Sequence, residues 1–261
     1  LEQSRSMKYG NHVSDLGVRL AYDLAPNKQT AFIVDSPCTD EYQPLARYSG
    51  LAELPRVSRF HVLNQKACAR RYCADHGVEY ADVNLVVVHM GGGTSVAAHR
   101  KGLLVDGNNG LDGDGPFSTD RTGELPVGAL IDLCYSGKYT HAEMRRKIKG
   151  QGGMMSYVQD TDVKTIEEKA LAGDEKYKNA LDAMIYQTAQ EIGKKAVVLK
   201  GDVNAILLTG GIAHSEYITG QIKDYVSFIA PVYVYPGERE MEALGTQSYY
   251  ALIGKAEVFE V

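Results

Sequence analysis

The chain has 261 residues, 44% of them hydrophobic and 23% charged, with a formal net charge of −5 at pH 7. That length can bury a core without a metal or disulfide staple. The acidic balance argues against nucleic acid or an anionic membrane as partner, and the longest apolar stretches, Leu85–Met90 and Ala205–Leu208, are far too short to cross a bilayer.

Residues Leu1 to Lys8 are polar and lack the apolar region of a signal peptide. The first residue is not methionine, and the chain is read as incomplete at its N-terminus. In chain order, Val13, Leu16, Leu20 and Leu24 recur at helical spacing, which predicts a helix over Asn11–Leu24, ended by Pro26 and Asn27. Thr30–Val34 reads as a short strand stopping at Asp35, and Phe60–His76 as a helix. Leu85–Met90 has the nearly unbroken apolar run of a central buried strand and leads into three glycines. Thr94–His99 and Leu103–Asp106, separated by Arg100-Lys101-Gly102, predict a hairpin.

Asn108–Gly128 is rich in Gly, Asp and Pro, a long loop of the functional kind. Helices are predicted over Val127–Tyr135, His141–Ile148 and Asp174–Leu199, and from Glu240. Ala205–Thr209 and Val232–Tyr235 read as further buried strands. Strands alternating with long helices imply an α/β fold. Cys38, Cys68, Cys73 and Cys134 form no CxxC pair and read as thiols of a reducing cytoplasm.

Two glycine motifs carry the chemistry. In His89-Met90-Gly91-Gly92-Gly93-Thr94-Ser95, backbone N–H groups can face an anion with no Cβ in the way, although a glycine triplet after a strand also serves as a plain tight turn. The motif lacks the GK[ST] ending of a Walker loop, and the hairpin after it is wrong for a dinucleotide fingerprint. Gly210-Gly211-Ile212-Ala213-His214-Ser215 again follows a buried strand and leads to a helix start that favours anions, or else is a simple βα turn. Two such loops together suggest one nucleotide gripped from two sides. Taken singly, His61 reads as a structural histidine, Asp35 as a turn former, and Glu238 and Glu240 as helix-start acids.

Further stretches point to a family: Ala31–Asp35, Phe60-His61 through Ala67, Asp112-Gly113-Asp114-Gly115-Pro116-Phe117-Ser118, Arg121-Thr122-Gly123-Glu124-Leu125-Pro126, Leu208–Ile212, Ser227–Val232 and Tyr235-Pro236-Gly237-Glu238. With the glycine motifs, and in this order from about residue 7 to the C-terminus, they resemble the butyrate kinase branch of the acetate kinase family. The resemblance implies a two-lobed actin-like (ribonuclease H-like) ATPase fold whose first lobe is incomplete at its N-terminus, where family members carry a first phosphate hairpin and a substrate-side arginine. It divides the chain into 1–90 (the remainder of the first lobe), 91–245 (the nucleotide-binding lobe) and 246–261 (a segment returning to the first lobe).

By the same resemblance, the reaction is reversible ATP-dependent phosphorylation of a short-chain fatty acid such as butyrate, with Mg²⁺ as cofactor, in a cytoplasmic homo-oligomer. Branched and other short acids (isobutyrate, isovalerate, propionate, acetate) are alternatives, as is a nucleotide-binding fragment without catalysis. His89 and Gly91, Gly92 and Gly93 would hold the nucleotide phosphates, and Gly210, Gly211, Ile212, Ala213, His214 and Ser215 the adenosine. Asp162, Val163 and Lys164 would lie against adenine. Arg121 and His61 would stabilise the transferring phosphoryl group, His12 would face the carboxylate, and Asp35 and Glu240 would manage magnesium. In the empty site Arg121 is expected to be held by Asp112, Asp114, Asp120 and Glu124.

Overall fold

The computed structural model describes residues 13–27, 31–37 and 39–258. Helices α1 (Val13–Leu24) and α2 (Val62–His76) precede strands β1 (Asn84–Met90), β2 (Thr94–Arg100) and β3 (Leu103–Gly107). Then come α3 (Val127–Tyr135), α4 (His141–Ile148), α5 (Gly153–Val158), α6 (Val163–Leu171) and the long α7 (Glu175–Val198). The chain closes with β4 (Ala205–Gly210), α8 (Glu216–Val226), β5 (Val232–Pro236) and α9 (Glu240–Leu252).

The five strands form one sheet in the order β3-β2-β1-β4-β5, the first three antiparallel in succession and β4 and β5 parallel to β1. All seven residues of β1 are buried, as a strand covered on both faces requires. The two-residue alternation of a strand divides the core. Val86, Val88 and Met90, with Ile206 and Leu208 of β4, pack against Leu181, Ile185 and Ile192 of α7 and Ile218 and Ile222 of α8. Leu85 and Val87, with Ala205 and Leu207, face Cys68, Ala69 and Tyr72 of α2. Helix α9 lies against α2 as well. The β2–β3 turn is Lys101-Gly102, both with positive φ, the two-residue geometry that suits the twist of a hairpin.

Residues 31–34, expected as a strand, lie outside any strand: a strand needs a ladder partner, and among the described residues none pairs with them. Helices α5, α6 and α8 complete the inventory; of these, sequence reading anticipated only a helix start near Ser215. The division expected near residue 90 falls at the turn between β1 and β2, neighbouring strands of the same sheet. Among the described residues, no helix is long and apolar enough to cross a membrane.

Candidate active site

Because β1, β4 and β5 are parallel, their C-terminal ends share one edge of the sheet, the edge at which open α/β sheets bind ligands. Gly91–Gly93, Gly210–Ser215 and Gly237–Glu240 meet there. Gly210 draws the first two together. It adopts φ +91°, and a Cβ on it would stand 2.3 Å from the Met90 carbonyl oxygen, so only glycine allows β4 to end this close to β1. Gly210 and Gly237 exchange backbone hydrogen bonds of 3.1 and 3.0 Å, which ties in the third loop.

His89 is 1% exposed near the end of β1. Its Nδ1 lies 2.8 Å from the Asn64 amide nitrogen, and its Nε2 lies 3.5 Å from Glu238 Oε1. The His61 ring stacks on it at 3.8 Å between centroids and 14° between planes. Burial first, and then the neighbouring His61 and Arg121, push the His89 imidazole well below its ordinary range. It is therefore a neutral donor or acceptor, not a fixed cation.

Arg121 sits where the long loop crosses the glycine turn. Its Nη1 donates to the Gly110 carbonyl at 2.7 Å, and a Cβ on Gly93 would lie 1.7 Å from that nitrogen. The loop is pinned from beneath by the Ser118 hydroxyl, which donates to the Gly92 carbonyl at 2.6 Å. The expected clamp of four loop carboxylates does not form. Asp112 pairs with Arg145 at 2.7 Å and Arg59 at 3.7 Å, Asp114 with Arg56 at 3.9 Å, and Glu124 with Lys194 at 3.1 Å. Cations from distant parts of the chain reach these acids first. Only Asp120 remains beside Arg121, at 3.7 Å, and both Arg121 Nε and Asp120 Oδ1 are buried without a hydrogen-bond partner. The guanidinium is thus held by one carbonyl hydrogen bond and one loose ion pair.

In the second glycine loop, Gly211 and His214 are exposed, while Ile212 and Ala213 turn their side chains into the core and leave only backbone to a ligand. Ser215 caps α8 and donates to Glu167 of α6 at 2.6 Å, which sets α6 beside this loop. Asp162 at the start of α6 is an N-cap: it accepts from the Thr165 hydroxyl at 2.6 Å and the Lys164 N–H at 3.3 Å. Val163 packs on the core and Lys164 is exposed.

The magnesium pair divides. Asp35 accepts from Arg70 at 2.7 Å and faces Lys66 at 3.5 Å, so its carboxylate is already neutralised by two α2 cations. Its backbone is left-handed at φ 41°, a conformation that aspartate tolerates. Glu240 is half-buried, and burial together with the charge of Glu238 raises its carboxyl above the ordinary range. Of the two expected magnesium acids, Glu240 thus stands beside a second carboxylate, Glu238, whereas Asp35 is held by two cations of α2. Among the described residues, no group of three or more His, Cys, Asp or Glu could hold a metal ion. His12 lies outside the described residues.

Sequence reading passed over Asn64, Gln65, Thr209 and Glu238 as site groups. Asn64 and Gln65 had one signal available, since they follow His61 at i+3 and i+4 and so share its helix face.

Two buried neutral histidines make stability depend on pH. His99 is pushed down to about 3 by burial and by the charges of Lys66 and Arg70, and His89 is lowered too. The unfolded chain takes up these protons near pH 6.5 and the folded chain does not. Stability is therefore full above about pH 6.5 and falls on acidification below it, by up to about 1.4 kcal/mol per pH unit for each histidine. Urea midpoints at pH 7.5 and 5.5 check this; equal midpoints would mean that one or both rings accept a proton in the fold.

Residues 53–226 match the Acetokinase family. Butyrate kinase 1 of Clostridium acetobutylicum is 48% identical over 261 residues, spanning 100% of this chain and 74% of that protein. Acetate kinase of Porphyromonas gingivalis superposes with a TM-score of 0.83 at 18% identity, covering 96% of this chain and 71% of that one. A propionate kinase of Francisella tularensis does so with a TM-score of 0.74 at 17% identity, covering 95% and 72%. These structures carry the mixed α/β architecture of actin-like ATPases, and this chain shares it. With nearly half its residues identical across its whole length, the chain belongs to the acetate kinase family.

Proposed function

We propose that this protein is a carboxylate kinase that transfers the γ-phosphoryl group of ATP reversibly to a short-chain fatty acid, with butyrate the preferred acceptor. Arg121 carries the reading: its guanidinium lies against the glycine turn with no hydrogen bond at Nε, beside the place where an incoming phosphoryl group has to be neutralised. The chemistry asks for little else. A fatty acid has a carboxyl pKa near that of glutamate, about 4.3, so it is ionised at neutral pH and no general base is required. The protein has to hold two anions in line and offset their charge. The Arg121 fork takes equatorial phosphoryl oxygens, and His61 and His89 supply N–H donors beside it. Mg²⁺ would be held by Glu238 and Glu240 and would screen the phosphate charge.

The backbone of Gly91–Gly93 cradles the phosphates and that of Gly211–Ser215 the nucleoside, with α6 alongside. We assign β1 to the nucleotide-binding lobe with the rest of its sheet, and α9 to the return towards the first lobe. The setting is the cytoplasm and the working form a homo-oligomer.

A Cβ on Gly92 or Gly211 would meet nothing within 4 Å. Gly92→Val and Gly211→Val should therefore fold normally and yet raise the KM for ATP about tenfold, the scale of one obstructed contact of ~1.4 kcal/mol. Wild-type KM in both folded variants would remove the glycine loops from nucleotide binding. Acceptor choice is tested by kcat/KM across acetate, propionate, butyrate and isobutyrate. One methylene is worth about 10- to 200-fold in an apolar pocket, so butyrate should lead acetate by at least that. Acetate turned over as well as butyrate would refute the preference.

A further inference from the structure

Below His61 runs a file of buried polar groups that the reaction itself does not use. His61 Nδ1 lies 3.0 Å from Ser95 Oγ. Gln65 Nε2 lies 2.9 Å from the same hydroxyl and 3.1 Å from the Ser95 carbonyl. Gln65 Oε1 lies 3.1 Å from His99 Nε2, and His99 Nδ1 lies 2.5 Å from the Tyr80 hydroxyl. Ser95, Gln65 and His99 are all fully buried.

The direction of every proton in this file follows from what each atom can do. A backbone carbonyl only accepts, so the Gln65 group facing Ser95 is its amide nitrogen, and Oε1 faces His99. That oxygen only accepts, so His99 carries its proton on Nε2. The His99 ring is neutral, driven down by burial and by the charges of Lys66 and Arg70, so its Nδ1 is bare and accepts from Tyr80. Burial holds the Tyr80 phenol well above its ordinary range, which keeps that proton in place. Ser95 Oγ accepts from Gln65, and its own proton, fully buried, has His61 Nδ1 as the acceptor within reach among the described residues, so we take Ser95 as the donor to that nitrogen. His61 is left with its proton on Nε2.

We infer that Gln65, Ser95 and His99 are positioning residues that fix His61 as the neutral Nε2–H tautomer, oriented as a donor to the transferring phosphoryl group. The stacked ring of His89 is fixed separately. The Asn64 amide nitrogen donates to its Nδ1, and that amide also reaches Thr209 Oγ1 at 3.3 Å. Two histidines thus receive the same tautomer from independent second partners. The tautomer is inferred from the hydrogen-bond geometry; its catalytic value rests on the proposed function.

Long-range ¹H–¹⁵N spectra of the histidine rings at pH 8 test the inference, alongside kinetics. In the wild-type chain His61, His89 and His99 should each show one tautomer, protonated on Nε2. In Ser95→Ala, both His61 nitrogens should share the proton while His89 keeps its pattern, and kcat should fall about tenfold with the KM for ATP within twofold. Gln65→Met should change His61 in the same direction, and it stands in if Ser95→Ala does not fold. A wild-type His61 protonated on Nδ1, or a His61 spectrum and kcat untouched in a folded variant, would overturn the inference. A wild-type chain with the expected spectra and no acyl phosphate product would refute the proposed function while leaving the tautomer assignment intact.

Discussion

Arg121→Ala should lower kcat by about 10³-fold or more and leave the KM for ATP close to wild type. An arginine that meets a transferring phosphoryl group contributes on that scale, because the charge it offsets is greatest in the transition state. ATP affinity is kept because the glycine loops hold the nucleotide by backbone. Removing the side chain does little to the fold: its one close hydrogen bond is to the Gly110 carbonyl, and Asp120 stands at 3.7 Å. Arg121→Lys should recover little, since an ammonium cannot present the planar fork. Steady-state kinetics, with a thermal melt as the folding control, decide the matter. A kcat within tenfold of wild type would take Arg121 out of the reaction.

Lys195→Ala should cost about 3 kcal/mol of stability, the lower end for breaking a buried ion pair. Lys195 is 3% exposed on α7, and its Nζ meets Asp106 Oδ1 at 3.1 Å and Glu191 Oε1 at 3.0 Å. Both carboxylates keep a second cation, Arg56 at 3.1 Å and Lys194 at 3.0 Å, which holds the loss below the extreme. Equilibrium urea unfolding measures the change. A loss under 1 kcal/mol would mean that the remaining cations satisfy both acids unaided.

The central strand and the hairpin were legible because Leu85–Met90 reads as a nearly unbroken apolar run and Arg100-Lys101-Gly102 as a turn, and both signals are local. Arg121 and the glycine turns were legible because their residue types are unusual for a plain connection. The surroundings of Arg121 were not. Asp112, Asp114 and Glu124 lie near it in sequence, which made them natural partners, but Arg56, Arg59, Arg145 and Lys194 arrive from other elements and take them. The partners of Asp35 were hidden in the same way: read singly it is a turn former, the resemblance implies a magnesium acid, and only the fold brings Arg70 and Lys66 of α2 onto it. The file beneath His61 escaped notice because Gln65, Ser95 and His99 are ordinary residues, 34 or fewer positions apart, whose value comes from shared burial. Pairing across elements is set by packing, and one sequence does not spell it out.

The central claim is that ATP gives its γ-phosphoryl group to a carboxylate. Incubating the protein with ATP, Mg²⁺, butyrate and hydroxylamine tests it most directly, because hydroxylamine traps an acyl phosphate as a hydroxamate. The account predicts butyryl hydroxamate formed one for one with ADP, dependent on butyrate and abolished to about the 10⁻³ level in Arg121→Ala. ADP and inorganic phosphate released without hydroxamate would contradict it.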